Sequence, residues 1–470
     1  MLSSLPIAGD GNSVSCHCVY HVLSHRSDQL KYSTVMLVTI TVLALCGCNI
    51  GKYSVGGTVT GLTGTGLVLA NNGDDNLTVT ANGSFSFGSG IGNGDVYAVS
   101  IVTQPSDPAQ TCTVRNGSGT IAKAAITNII VTCTQAGQFA YVTNQQSNDI
   151  SVFAIDSSTG TLSEIAGSPF AATGTTPVAI AVDPNGKYAY VANNVSDTLS
   201  VYSIDAASGV LTAVGSPVAT HMAPVAVTVD PSDSYVFVAN QASNDISAYS
   251  IDTSTGVLTE LAGSPFAGGS GPGALATDPG GNYLYVANYV GANVSVFAIQ
   301  SGTGILSSIA GSPFGAGNGA NSIAISPAGT YAYVANESGK SISAYAITPS
   351  TGALTTVTGS PFNAGSSVQA VAVDPAGAHI YAANATAANE LATYTIYPST
   401  GALTQTGASV GTGSLPAYVS IDPAGTFAYV VNDNSNSVSV YSIDAGTGLL
   451  TQVTGSPFAV GTEPRSIAIH

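Results

Sequence analysis

Phe139-Ala-Tyr-Val-Thr-Asn144 is the first of seven versions of one phrase. The others are Tyr188-Ala-Tyr-Val-Ala-Asn193, Tyr235-Val-Phe-Val-Ala-Asn240, Tyr283-Leu-Tyr-Val-Ala-Asn288, Tyr331-Ala-Tyr-Val-Ala-Asn336, His379-Ile-Tyr-Ala-Ala-Asn384 and Phe427-Ala-Tyr-Val-Val-Asn432. The terminal asparagines recur with a nearly constant period, close to that of a propeller blade. A repeat of that length holds four short strands, the content of one blade, so seven copies predict an all-β ring of seven blades.

The second repeat shows how a blade is composed. Its strand-like pieces are Val178-Ala-Ile-Ala-Val182, Tyr188 to Ala192, Thr198-Leu-Ser-Val-Tyr-Ser-Ile204 and Leu211-Thr-Ala-Val214, labelled A to D in order. Asp183-Pro-Asn-Gly186 separates A from B, and Asp205-Ala-Ala-Ser-Gly209 separates C from D. Proline presets φ and glycine supplies positive φ, so both read as hairpin turns. Seven B strands face six internal A strands, and the seventh A strand is Pro464-Arg-Ser-Ile-Ala-Ile-His470. Ser466 to Ile469 are therefore expected to pair beside Phe139 to Thr143, building the first blade from both ends of the chain and removing the open edge. Gly-Ser-Pro-Phe recurs after strand D at Gly167, Gly263, Gly311, Gly359 and Gly455. Its Phe is expected to cover the seam between blades, and its Pro to stiffen the path into the next A strand.

Ahead of the ring the chain changes character. Residues 1–47 read as a signal region, the part before about residue 21 resembling an over-extended start: Val35-Met-Leu-Val-Thr-Ile-Thr-Val-Leu-Ala-Leu45 is an apolar run after Arg26 and Lys31, too short for an ordinary membrane span. It ends in Leu45-Cys-Gly-Cys48, which resembles a bacterial lipoprotein cleavage box; the expectation is lipid on Cys48, the alternative a cleaved signal with no lipid. That places the protein outside the cytoplasm, on the bacterial envelope or surface, touching membrane only through the anchor. Residues 48–134 carry short alternating segments, among them Gly57-Thr-Val-Thr60, Leu77-Thr-Val-Thr80 and Val96-Tyr-Ala-Val-Ser-Ile-Val102, and read as a small β-sandwich before the propeller of residues 135–470. Cys112 and Cys133 are the only cysteines after Cys48 and are expected to form a disulfide in an exported chain.

From Cys48 onward six basic residues face 23 acidic ones, a net charge of −17. Nucleic acid is a poor partner for such a surface, because binding it needs a basic patch. No phosphate loop, nucleophile elbow, metal-ligating set or calcium ladder appears, so neither cofactor nor metal is expected.

The Tyr-Val-X-Asn phrase, the Asp-Pro-X-Gly turn and the Ser/Thr-Gly-X-Leu entry into strand D resemble the YVTN seven-bladed propeller family, which shares its fold with the 6-phosphogluconolactonase-like lactonase family. WD40 repeats are a poor fit, since their signature needs tryptophan and the chain has none. The lactonase resemblance implies catalysis by Arg, His and Glu at the channel mouth, with Pro-Arg-His opening an A strand and Asn-Glu ending the following B strand. The chain keeps fragments: Pro464-Arg465 is followed by Ser466 in place of His, and Asn336-Glu337 ends a B strand whose A strand opens Ala320-Asn-Ser-Ile. Arg465, Glu337 and His221, which precedes Met222-Ala-Pro224, are the candidate catalytic residues on that rim. Lactone hydrolysis needs a base beside the attacking water and a positive group beside the oxyanion, and this inventory looks thin.

The same rim carries short polar B-to-C loops, such as Gln145-Gln-Ser-Asn-Asp149, Gln241-Ala-Ser-Asn-Asp245 and Asp433-Asn-Ser-Asn-Ser437. They read either as tight-turn chemistry or as a ring of groups for a glycan, peptide or small-molecule ligand. The expectation from sequence is thus an exported, lipid-anchored propeller acting as a non-catalytic binding module, with a lactone hydrolase as the alternative.

Overall fold

A computed structural model describes residues 52–470, apart from 63, 107–109, 136 and 386–388, together with the short strands His17–Cys18 and Cys46–Gly47. Cys48 and the apolar run ahead of Cys46 lie outside the described residues. The chain divides into two compact units, Met1–Ala136 and Gly137–His470.

The first unit is a sandwich of two four-stranded sheets, whose alternating strands turn one face inward. One sheet orders Gln110–Arg115, Ile126–Gln135, Val55–Thr60 and Gly83–Ser86; the other orders Ser118–Thr120, Val96–Thr103, Leu67–Asn71 and Asp75–Val79. Val55, Val59, Leu67, Leu69, Ile129 and Val131 fill the space between them. Cys112 and Cys133 stand directly opposite on neighbouring strands and are joined by a disulfide.

The second unit is the seven-bladed propeller. Blades are numbered by their B strands, from Gln138–Asn144 in blade 1 to Phe427–Asn432 in blade 7. The C-terminal strand Pro464–Ile469 pairs antiparallel with Gln138–Asn144, with Ala140 opposite Ile469 and Thr143 opposite Ser466. It lies between the A strands Pro416–Ile421 of blade 7 and Pro177–Val182 of blade 2, so the ring is closed. The seam it completes is packed like the others: Ala140, Val142 and Ile467 bury against Phe427, Tyr429 and Val431.

Three repeated side-chain devices explain the repeated letters. In each Asp-Pro turn the carboxylate folds back on the hairpin; Asp183 Oδ1 accepts from the Lys187 and Tyr188 amides at 2.6 and 3.0 Å. Asp230, Asp278, Asp374 and Asp422 do the same, and Ser326 Oγ takes that role in blade 5. The Ser of Gly-Ser-Pro-Phe accepts an amide of strand C, Ser168 Oγ from Val152 at 2.9 Å and Ser456 Oγ from Val440 at 2.9 Å. The residues after it form a fifth, two-residue strand against C, as Phe170–Ala171 does beside Asp149 and Ile150. The motif therefore adds to the sheet as well as covering the seam, where Phe170, Phe266, Phe314, Phe362 and Phe458 are half-buried.

The third device links blades. The glycine closing each C-to-D turn lies against the first residue of the preceding blade's B strand, Gly304 on Tyr235 and Gly448 on His379. His379 thus occupies an aromatic seat on the rim opposite the A-strand starts; it is buried, with Nδ1 2.9 Å from Asp374 Oδ2.

The turn glycines and the C-terminal histidine each allow a stability experiment. Gly302 and Gly304 share one turn and both have positive φ, but a Cβ on Gly302 would meet nothing within 4 Å whereas one on Gly304 would approach the Tyr235 ring to 2.4 Å. Both Ala variants should lose roughly 1 kcal/mol to backbone strain, and Gly304→Ala about 1–3 kcal/mol more to overpacking, as read from denaturant unfolding. In His470 the imidazole lies against Gly186, and burial pushes its pKa down. The unfolded chain then takes up the proton first, so the stability is complete above the ordinary histidine value of about 6.5 and falls as pH drops below it toward the folded value. Thermal melting at a series of pH values from neutral to mildly acidic should show a slope that His470→Asn reduces.

Candidate functional site at the channel mouth

Strands A and B run antiparallel, with Pro177 opposite Asn193 and Pro464 opposite Asn144, so every A start and every B end opens on one rim. The signature asparagines are fully buried just beneath it. Six of them donate from Nδ2 to the serine at the third position of strand C, as Asn144 does to Ser151 at 2.9 Å and Asn432 to Ser439 at 2.9 Å. Blade 6 has Ala392 there, and Asn384 instead reaches Glu390 at 3.4 Å. The amide nitrogens thus have the partners that buried donors need.

The polar loops above are committed in the same way. The last residue of the loop adopts positive φ in every blade, and where it is Asn or Asp its side-chain oxygen accepts the amide just before the next blade's A strand. Asn148 takes Thr176 at 2.6 Å, Asp197 takes Ala223 at 2.8 Å, Asn244 takes Gly271 at 2.6 Å, Asn389 takes Leu415 at 2.9 Å and Asn436 takes Glu463 at 2.9 Å. In five of the seven blades, one group of the polar loop is thus a staple to the next blade.

On this rim each blade also carries the second A-strand position and the residue after its asparagine. Over blades 2, 3, 4 and 7 the A-strand residues are Val178, Val225, Gly273 and Ala417; over blades 5, 6 and 1 they are Asn321, Gln369 and Arg465. Asn321 Nδ2 donates to the Gln369 carbonyl and Oε1 at 3.2 and 3.3 Å, tying blades 5 and 6. Arg465 Nη1 donates to Asp433 Oδ2 at 2.8 Å across the seam of blades 1 and 7. Asp433 is buried whereas the Arg465 side chain is 43% exposed, so the guanidinium is held at one end and open at the other. Two residues ahead of it, Glu463 has φ of 54° and accepts from Gln145 Nε2 at 3.3 Å.

The three sequence candidates are not brought together. Arg465 is on blade 1, Glu337 is half-buried at the B end of blade 5, and His221 is on blade 3, where Nδ1 lies 2.9 Å from Asp245 Oδ2. The residue that joins Arg465 is Asp433, while Glu463, two residues ahead of it, pairs with Gln145. Gln145 follows Asn144, which places it where the lactonase pattern carries Glu. The signal for this was present, since closing the ring makes Gln138–Asn144 the partner of the last A strand. Among the described residues no three His, Cys, Asp or Glu side chains gather as a metal site.

The sequence profile described as "Lactonase, 7-bladed beta-propeller" matches residues 96–270 and 301–464. Solved structures of similar fold include a candidate 6-phosphogluconolactonase from Bacteroides uniformis, 20% identical over 72% of this chain and 100% of that one, with TM-score 0.64. They also include the periplasmic gluconolactonase of Pseudomonas aeruginosa, 18% identical over 71% and 99% with TM-score 0.61, and a protein from Lactobacillus plantarum, 22% identical over 71% and 99% with TM-score 0.60. No curated protein matches the chain. The expectation of a non-catalytic binding module is therefore corrected. The family match is to lactonases, and in five of the seven loops one Asn or Asp side chain is used as a staple between blades. Counting cations repeat by repeat also separates Arg465 from Asp433, which meets it across the seam with blade 7.

Proposed function

Because the chain belongs to the lactonase family of seven-bladed β-propellers, we propose that it hydrolyses a lactone at the mouth of the central channel. The observation that carries this is the Arg465–Asp433 pair: a half-exposed guanidinium fixed by a buried carboxylate, on the rim where the family places its chemistry. In this reading Arg465 donates to the carbonyl oxygen as it becomes an oxyanion, and Asp433 positions it. Glu463 takes the proton of the attacking water; the new C–O bond forms, the ring C–O bond breaks, and that proton passes to the departing ring oxygen. Ser466 and Gln145, standing where the family pattern has His and Glu, orient by hydrogen bonding and move no proton. The rim holds Asp149, Asp197, Asp245, Glu337, Glu390, Asp433 and Glu463 against Arg465 and Lys340, which favours an uncharged lactone over a phosphorylated one. Purified protein should open D-glucono-1,5-lactone above the spontaneous rate, and Arg465→Ala should lower kcat/KM roughly 100-fold or more, as loss of an oxyanion donor does. Turnover indifferent to Arg465, Asp433 and Glu463 alike would place the chemistry elsewhere.

The location proposed for this activity is the bacterial envelope, with Cys48 as a lipid-bearing mature N-terminus; the support is the Leu45-Cys-Gly-Cys48 box after an apolar run. Cys48→Ser should release the protein from the membrane fraction while Cys46→Ser leaves it bound, and mass spectrometry of an unmodified N-terminus at another residue would reject the assignment.

A further inference from the structure

Seven A strands offer seven versions of the third position. Six are small: Ser466, Ala179, Ala226, Ala274, Ser322 and Ala370. The seventh is Tyr418, in the A strand of blade 7. It stands opposite Val431, one residue short of the signature asparagine Asn432 and two short of Asp433, which holds Arg465. Its strand is the direct neighbour of the strand that carries Arg465. Tyr418 is 38% exposed, yet burial raises its phenol pKa. Both follow if the ring faces the channel, where water reaches it but protein surrounds it.

Beyond Tyr418, toward the opposite rim, lies a cavity of about 380 Å³ along the A strands of blades 5, 6 and 7. Tyr418, Ser420, Asp422, Pro375 and Pro423 line it together with the A strands around Ile323, Val371 and Val419, whose side chains are buried in the seams between blades. The largest side chain at this level of the channel thus stands at the end of this chamber nearer the Arg465 mouth.

We propose that Tyr418 is the floor of the lactone site: its ring face supports the substrate ring beneath Arg465, and its bulk bars substituents from the chamber below. This rests on the lactonase reading and adds a substrate class, small monocyclic lactones without a long apolar tail. The apolar, C–H-rich face of a sugar lactone suits an aromatic platform, while the chamber of about 380 Å³ would give a longer substituent room once the tyrosine is gone.

The test compares full-length wild type, Tyr418→Ala and Tyr418→Phe against D-glucono-1,5-lactone and δ-decalactone, with calorimetric binding of the non-hydrolysable D-glucono-1,5-lactam. Ala is the residue of four sister blades at this position, so the variant should fold, and its melting curve checks that it does. Tyr418→Ala should weaken lactam binding and gluconolactone kcat/KM about tenfold, the size of a lost aromatic contact, while Tyr418→Phe stays within about threefold. Tyr418→Ala should also raise kcat/KM for δ-decalactone relative to D-glucono-1,5-lactone, because its tail gains room in the chamber. Unchanged lactam binding and unchanged preference in Tyr418→Ala overturn the floor while leaving the lactonase reading intact. A loss in Tyr418→Phe equal to that in Tyr418→Ala also overturns it, since the ring face would not be what matters. Absence of any wild-type hydrolysis with Tyr418-dependent lactam binding overturns the lactonase reading and keeps the floor; absence of both overturns both.

Discussion

The pairing of Pro464–Ile469 with Gln138–Asn144 is the constraint on which the propeller depends. Every blade presents two apolar faces, and each needs a neighbour to cover it. In an open array two of those faces and two strand edges would meet water; closing the ring removes all four at once. Here the closure is made by backbone hydrogen bonds between the first and last strands of the propeller, with Thr143 Oγ1 also donating to the Ser466 carbonyl at 3.5 Å. Loop-closure cost grows only logarithmically with the chain between, so six preformed blades make so distant a contact feasible. The same contact builds the mouth, because it brings Arg465 and Glu463 from the end of the chain to Gln145 at its first blade.

Architecture was legible because every structural rule is written seven times. The asparagine spacing revealed the blade count, the missing first A strand revealed the closure, and Asp-Pro-X-Gly and Thr-Gly marked turns whose hydrogen bonds the structure now identifies. The roles of those letters were less legible. Asn148 and Asn436 look like any loop asparagine, and only the neighbouring blade reveals that each holds an amide of the next A strand. Likewise the serine of Gly-Ser-Pro-Phe accepts an amide from well back in strand C, at a separation where no local pattern speaks.

The site resisted sequence reading for a different reason. Arg465 and Asp433 meet across a seam, one on blade 1 and the other on blade 7, and Arg465 shares its blade with Gln145 although the two come from opposite ends of the propeller's chain. Searching for Arg, His and Glu inside one repeat could not find a cluster assembled across a seam. His221 is at the correct height and on the wrong blade, where Asp245 engages it. Position along a repeat specifies the rim; position around the ring is specified only by closure.

In a ring whose blades are nearly identical, the constant columns are spoken for by packing and staples, and chemistry has to reside in the departures. Around the mouth those departures cluster: Asn321 and Gln369 where blades 2 and 3 carry valine, Tyr418 where six blades carry Ala or Ser, and Arg465 with Asp433 and Glu463 at the closing seam. These fall on blades 5, 6, 7 and 1, and the channel cavity runs along the A strands of blades 5, 6 and 7. Departures elsewhere have local explanations, as His379 shows by taking an aromatic seat and pairing with the turn aspartate beneath it. A seven-fold scaffold is indifferent to which blades carry a site; confinement of the unusual residues to one continuous arc is therefore a functional signal, because packing alone would have no cause to place them side by side.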